Sequence, residues 1–243
     1  MDDDLAWRKL EISELYTTTL THDTVVLRKS LLLIIYSHWE GFIKNASKLY
    51  LFHIENEKVK LINLTSNYRA ISLKGLIGEC FKSENGLTLN KELDFISTYS
   101  KKENQTFRLS KNMLKETDKS IINTKDNLNP EIFFNICKII GIPEKGSILT
   151  REKWINDYLL NNRNSISHGS KLELPDSSEF KLSVKSLEEL KGIILDILDN
   201  FKEDLSEYAE KQLYLHSNID YKNNYDLESD KELGKRIKSK DDD

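Results

Sequence analysis

Between Thr24 and about Glu57 the chain runs without a proline or a turn cluster. Over that stretch it carries Val25, Val26, Leu31, Leu33, Ile34, Ile35, Trp39, Phe42, Ile43, Leu49, Leu51 and Phe52. Apolar residues sustained over this length with no breaker predict one long helix at the centre of the fold. Only three prolines and nine glycines punctuate all 243 residues. Long helices are therefore expected throughout, not the many turns of a sandwich, and the fold class is read as all-α.

The remaining elements are arranged around that helix. Leu5 to Tyr16 reads as a shorter helix, with the Thr-rich stretch Thr17 to Thr24 supplying an N-cap for the next, so the two form a hairpin. Tyr68 to Phe81 reads as a third helix. Residues 83–128 are rich in Ser, Thr, Asn and Lys with short apolar groups, and are expected to be a less regular insertion. Pro130 opens a helix from Glu131 to Ile140 that stops at Gly141, with Pro143 beyond. Arg151 to Asn162 is helical, with Trp154, Ile155, Tyr158 and Leu159 directed inward. After a loop containing Pro175, Ser186 and Glu189 read as a capping box for a helix carrying Leu187, Leu190, Ile194, Ile197, Leu198, Phe201, Leu205 and Tyr208. Residues 1–222 are read as a single domain, and 223–243 as a charged, disordered tail.

Composition narrows the functional classes. No run is apolar enough to span a membrane, and the start, Met-Asp-Asp-Asp, is unlike a signal peptide, so a cytoplasmic protein without a membrane partner is expected. Cys80 and Cys137 lack metal-type spacing and read as reduced core thiols, with no metal or cofactor implied. The formal charge of -4 argues against broad nonspecific nucleic-acid binding, so phosphate contacts require a local basic patch. Between Lys101 and Lys125 cations outnumber acids, which suits either a solvated face or a contact surface for RNA phosphates.

The candidate chemistry lies in Arg163-Asn164-Ser165-Ile166-Ser167-His168-Gly169. An Arg and a His separated by four to six residues would arise by chance about 0.4 times in a chain of this composition, and the Asn directly after the Arg lowers that to a few hundredths. Histidine suits removal of a 2′-hydroxyl proton near neutral pH. Arginine suits the charge that develops on phosphoryl oxygens. Asn164 and His168 share one face of a helix, whereas Arg163 lies about 140° from His168 around an ideal axis. The pair therefore meets only if the helix turns or tightens near Ser165, or if two copies face each other across a symmetric dimer. The plainer alternative is a helix C-terminus with His168 and Gly169 as cap residues and Arg163 on the surface.

The run Arg163-Asn164-x-x-x-His168-Gly169, placed between a helix and a long closing helix, resembles the active motif of the HEPN superfamily. Tyr36-Ser37-His38-Trp39-Glu40-Gly41-Phe42-Ile43-Lys44 and Asn127 through Gly141 resemble segments of its RiboL-PSP and MAE-type branch, over residues 5–210. The resemblance implies a HEPN-type helical bundle that forms a homodimer. It also implies a metal-independent endoribonuclease that acts on RNA and leaves 2′,3′-cyclic phosphate ends, serving as a toxin or abortive-infection effector with an antitoxin or sensor partner. A catalytically silent HEPN module that binds RNA, nucleotide or protein is the alternative. Arg163 and His168 match the catalytic pair, Asn164 its polar neighbour, and Glu40 an acidic residue supporting the motif from the earlier helix. A plain i,i+4 pair of Glu40 with Lys44 is the other account of that acid. His38 and Trp39 read as packing. Ser170 stands where the branch modified by AMP transfer carries a tyrosine, so the resemblance does not extend to that mode of regulation.

Overall fold

A computed structural model describes residues 1–81, 89–169 and 183–238. Ser170 and the loop containing Pro175 lie outside the described residues, as do 82–88 in the expected insertion and 239–243 at the end. The described residues form the all-α fold expected and contain no strand, and no helix among them is long and apolar enough to cross a membrane.

The long helix α2 spans Val25–Asn56. Thr24 caps it, its hydroxyl accepting from the Leu27 N–H at 3.2 Å, a contact of about 1 kcal/mol in typical helices. Leu31, Leu32, Ile35, Trp39, Phe42, Ile43, Ala46, Tyr50, Leu51 and Ile54 are all buried. At roughly 1.5–3 kcal/mol for each large apolar side chain, this helix anchors the core. Around it pack α1 (Asp2–His22), α5 (Pro130–Ile140), α8 (Asn161–Ser167) and α9 (Val184–Glu210).

Several boundaries differ from the sequence expectation, each for a local reason. Helix α1 does not stop at Tyr16 but continues to His22. Thr17, Thr18, Thr19 and Thr21 turn their hydroxyls onto the carbonyls four residues back, so the threonines stay helical instead of forming a loop. Helix α9 starts one turn early, because Ser183 and not Ser186 is the N-cap, accepting from the Ser186 N–H at 3.0 Å. Helix α5 starts and stops as read: Asn129 accepts from the Ile132 N–H at 2.7 Å, and Gly141 closes it at φ 88°, where a β-carbon would sit 3.1 Å from Asn67 Nδ2.

Helix α3 (Ser66–Phe81) is followed by α4 (Asn90–Lys102), which lies in the region read as less regular and buries none of its residues. Cys137 is in the core, where burial pushes its thiol up, but Cys80 is only half-buried because it lies towards the end of α3 with its thiol facing α4 at the Lys91 carbonyl.

The end of the chain corrects the sequence reading most. Residues 219–238 form a helix, α10 (Ile219–Lys238), not a disordered tail. It seats Leu233 and Ile237 in the core and packs on α9 and on the short α6 (Gly146–Leu149). A buried polar network fastens it. Lys145, 4% exposed on its side chain, pairs with Asp204, 3% exposed, at 2.6 Å, and also donates to Asn200 at 2.5 Å and Ser229 at 2.6 Å. Ser229 in turn donates to Asp204.

Candidate active site

The motif is delivered by an irregular helical stretch. Helix α7 (Glu152–Ile155) widens into a π turn at Asn156–Leu160 and then returns to α geometry in α8. The π turn offsets the helical phase by one residue. Asn162, 4% exposed, turns its amide onto the Asp157 and Tyr158 carbonyls at 3.0 and 2.9 Å, satisfying acceptors that the wider turn leaves short of donors. Trp154 and Tyr158 stack with ring centroids 4.7 Å apart and are only half-buried, while Ile155, Leu159 and Leu160 face the core.

This arrangement leaves Arg163 held on three sides. Its guanidinium lies over the Tyr36 ring at 4.5 Å, Nη1 donates to Asn164 Oδ1 at 3.0 Å, and Nη2 donates to the Asp126 carbonyl at 3.1 Å. Of the five N–H donors of a guanidinium, these bonds take two. Tyr36 is 3% exposed, and its buried hydroxyl lies beside Glu40 and the Leu128 backbone without a well-formed hydrogen bond to either. Burial first, then the nearby Glu40 carboxylate, raise its pKa and keep it a neutral phenol, against a smaller opposing effect of Arg163.

Asn164 touches both halves of the motif: its side chain receives Arg163, and its carbonyl accepts the His168 N–H at 3.0 Å. His168 ends α8 at φ −87°, ψ 7°, and Gly169 follows at φ 69°. The two residues do cap the helix, as the plainer reading held. The His168 ring is exposed and forms no hydrogen bond or ion pair among the described residues. The bend or tightening expected near Ser165 is absent, because α8 keeps its α geometry to Ser167 and the irregularity lies a turn earlier. No hydrogen bond joins Arg163 to His168 among the described residues, and the regular helix sets the two on different faces of α8.

Glu40 is half-buried on α2, one turn beyond Tyr36. It forms no ion pair with Lys44 among the described residues, so the simple helical pair does not account for it. With Ser37, Gly41, Lys44, Asn45 and Lys48 it makes a stripe along the middle of α2. The stripe walls a cleft of about 490 Å³ closed on the far side by Leu114, Glu116, Thr124 and Asp126. Asp126 belongs both to this cleft and to the cradle of Arg163. Lys119 occupies both oxygens of the Asp126 carboxylate, at 2.7 and 2.6 Å.

His38 and Trp39 are buried, at 4% and 1%. His38 Nε2 lies 2.7 Å from Glu11 and Nδ1 3.4 Å from Arg8 Nη1. Burial lowers the His38 pKa, with Glu11 opposing, so the ring is neutral and structural.

Sequence reasoning passed over three contributors to this region. Tyr36 was within the recognised segment but had no role assigned to it. The Asp126 carbonyl has no sequence signal. Arg8 did leave one: Gly41 inside an otherwise apolar helix marks a close approach, and a β-carbon there would lie 2.7 Å from Arg8 Nη1.

Comparison with known families gives a match to the model described as HEPN_MAE_28990/-like HEPN over residues 1–214. No curated protein and no solved structure matches the chain.

Proposed function

The chain belongs to the MAE_28990-like HEPN family, a group of RNA-related nucleases and nucleotide-binding modules, and from that we propose that it is a metal-independent endoribonuclease whose working unit is a homodimer. His168 of one copy takes the proton from the 2′-hydroxyl as O2′ attacks phosphorus. The bond to the 5′ oxygen breaks, and the proton is returned to that oxygen as it leaves. The products are a 2′,3′-cyclic phosphate and a 5′-hydroxyl, and no water is consumed. Arg163 of the facing copy directs its remaining donors to the nonbridging oxygens, where negative charge grows in the transition state. Acting in the cytoplasm as a toxin or abortive-infection effector, such an enzyme would be restrained by an antitoxin or sensor partner.

One observation carries this reading: Arg163 is fixed by Tyr36, Asn164 and the carbonyl of Asp126, a residue that also lines the cleft, yet keeps donors these bonds do not use, while His168 is exposed nearby in sequence and uncommitted. The test is cleavage of RNA by the purified chain in the presence of EDTA. Arg163→Ala and His168→Ala should each abolish cleavage with the helical fold retained, and cleavage surviving His168→Ala would sink the proposal.

A second reading, a silent HEPN module that binds RNA or a partner without cutting, is favoured by the absence of a hydrogen bond between Arg163 and His168 among the described residues. RNA bound but uncut by the wild type, with no growth arrest on expression, would select it.

A further inference from the structure

The cleft beside Arg163 carries two lysines, Lys44 and Lys48, that form no ion pair among the described residues, and an arginine, Arg8, that keeps part of its guanidinium free. Lys48 is 3% exposed, and its ammonium is held only by the backbone carbonyls of Lys115 and Asp118, each at 2.7 Å. Lys44, one turn earlier on α2, forms no ion pair among the described residues. Like charges four residues apart on a helix repel. Burial, and after it the charge of Lys44, lower the pKa of Lys48, with Asp118 and Glu116 opposing.

Arg8 approaches the same cleft from α1. Its Nε is taken by Asp4 at 3.0 Å, its guanidinium lies over Trp7 at 4.6 Å, and Nη1 meets His38 at 3.4 Å. Nη2 is uncommitted among the described residues, and the absence of a side chain at Gly41 makes room for the whole group. The carboxylates lining the cleft act on these cations only at a distance and form no ion pair with them among the described residues. Asp126 is bound to Lys119, Glu40 faces Tyr36, and Glu116 makes no ion pair among the described residues. A cleft of about 490 Å³ falls within the size range of small-ligand sites and can hold a phosphate with its sugar.

We propose that this cleft is a second phosphate subsite, in which Lys44 and Arg8 bind the phosphodiester next to the scissile one on a single RNA strand while Lys48 supplies charge from beneath. The assignment rests on the ribonuclease reading for its geometry, since Asp126 links the cleft to Arg163, but its test does not need cleavage. Neutralising one phosphate contact on a single strand should reduce the slope of log affinity against log salt by about 0.7.

The experiment uses the full chain carrying His168→Ala and a fluorescent ten-nucleotide single-stranded RNA, titrated over a series of salt concentrations. Adding Lys44→Gln should weaken binding on the order of threefold to tenfold and make the salt slope shallower by about 0.7. Lys44→Arg should restore both, which separates a charge effect from a folding defect. Lys231→Gln, exposed on α10 and outside the cleft, should leave both unchanged. Equal affinity and slope in Lys44→Gln and its parent would overturn the subsite, as would equal losses in Lys231→Gln. Wild-type cleavage is assayed in parallel. Binding that depends on Lys44 without any cleavage would remove only the ribonuclease reading. Cleavage with binding indifferent to Lys44 would remove only the subsite.

Discussion

Replacing Tyr36 separates the role of its ring from that of its hydroxyl. The ring carries the Arg163 guanidinium at 4.5 Å in a buried setting, a contact of about 0.5–2 kcal/mol. If Arg163 acts on charge that develops only in the transition state, losing this support lowers kcat by roughly 2-fold to 30-fold and leaves KM near its original value. Tyr36→Leu removes the aromatic face while keeping most of the apolar bulk. Tyr36→Phe keeps the face and removes a hydroxyl that has no well-formed hydrogen bond, so it should cleave like the wild type and lose at most about 1 kcal/mol of stability. The assay is steady-state cleavage of a defined RNA oligonucleotide, with urea melts to show that each variant is folded. Tyr36→Leu cleaving at the wild-type rate would refute the reasoning, as would Tyr36→Phe losing as much as Tyr36→Leu.

Two further predictions concern the frame. Lys145→Met leaves Asp204 buried without its cation and should cost about 3–5 kcal/mol in urea unfolding, most of it recovered in Lys145→Met/Asp204→Leu; a loss below about 1 kcal/mol in the single variant would show that the pair does not fasten α10. Because the folded-state pKa of His38 lies below its ordinary 6.5, the unfolded chain binds more protons as pH falls through that value. Its contribution to stability is therefore present above about pH 6.5 and lost below it. The melting temperature should drop more between about pH 7.5 and 5.5 in the wild type than in His38→Gln, and identical pH profiles would contradict the assignment.

What could be read from the sequence was whatever local periodicity and capping specify. Helix α2 follows from its uninterrupted apolar residues, and α5 from Asn129, Pro130 and Gly141. Helix α10 was missed because it is mostly charged and sparse in apolar residues. Leu233 and Ile237 give it a narrow buried face, and much of the remaining hold is polar: Ser229 in the network of Lys145, Asn200 and Asp204, Asp230 against Gly146 and Ser147, and Asp226 against Tyr208, all partners far apart in sequence. The threonines closing α1 were misread because a hydroxyl can satisfy either a cap or a carbonyl four residues back, and here only Thr24 caps.

At the site, Arg163, Asn164 and His168 were legible as a motif, while their arrangement was not. The π turn at Asn156–Leu160 depends on Asn162 folding back onto its own helix, for which residue spacing carries no signal. The seat of Arg163 depends on a ring from α2 and on a backbone carbonyl, and a carbonyl is available at every residue.

On the two-copy reading, Arg163 and His168 lie on different faces of one chain's α8 and the facing copy completes the site. Mixing Arg163→Ala chains with His168→Ala chains under conditions that allow subunit exchange tests this reading directly. Each mixed dimer would hold one site with an intact Arg163 from one copy and an intact His168 from the other. A random equal mixture should therefore regain about a quarter of wild-type cleavage from two inactive parents. No recovery, with mixed dimers shown to form, would contradict the shared site.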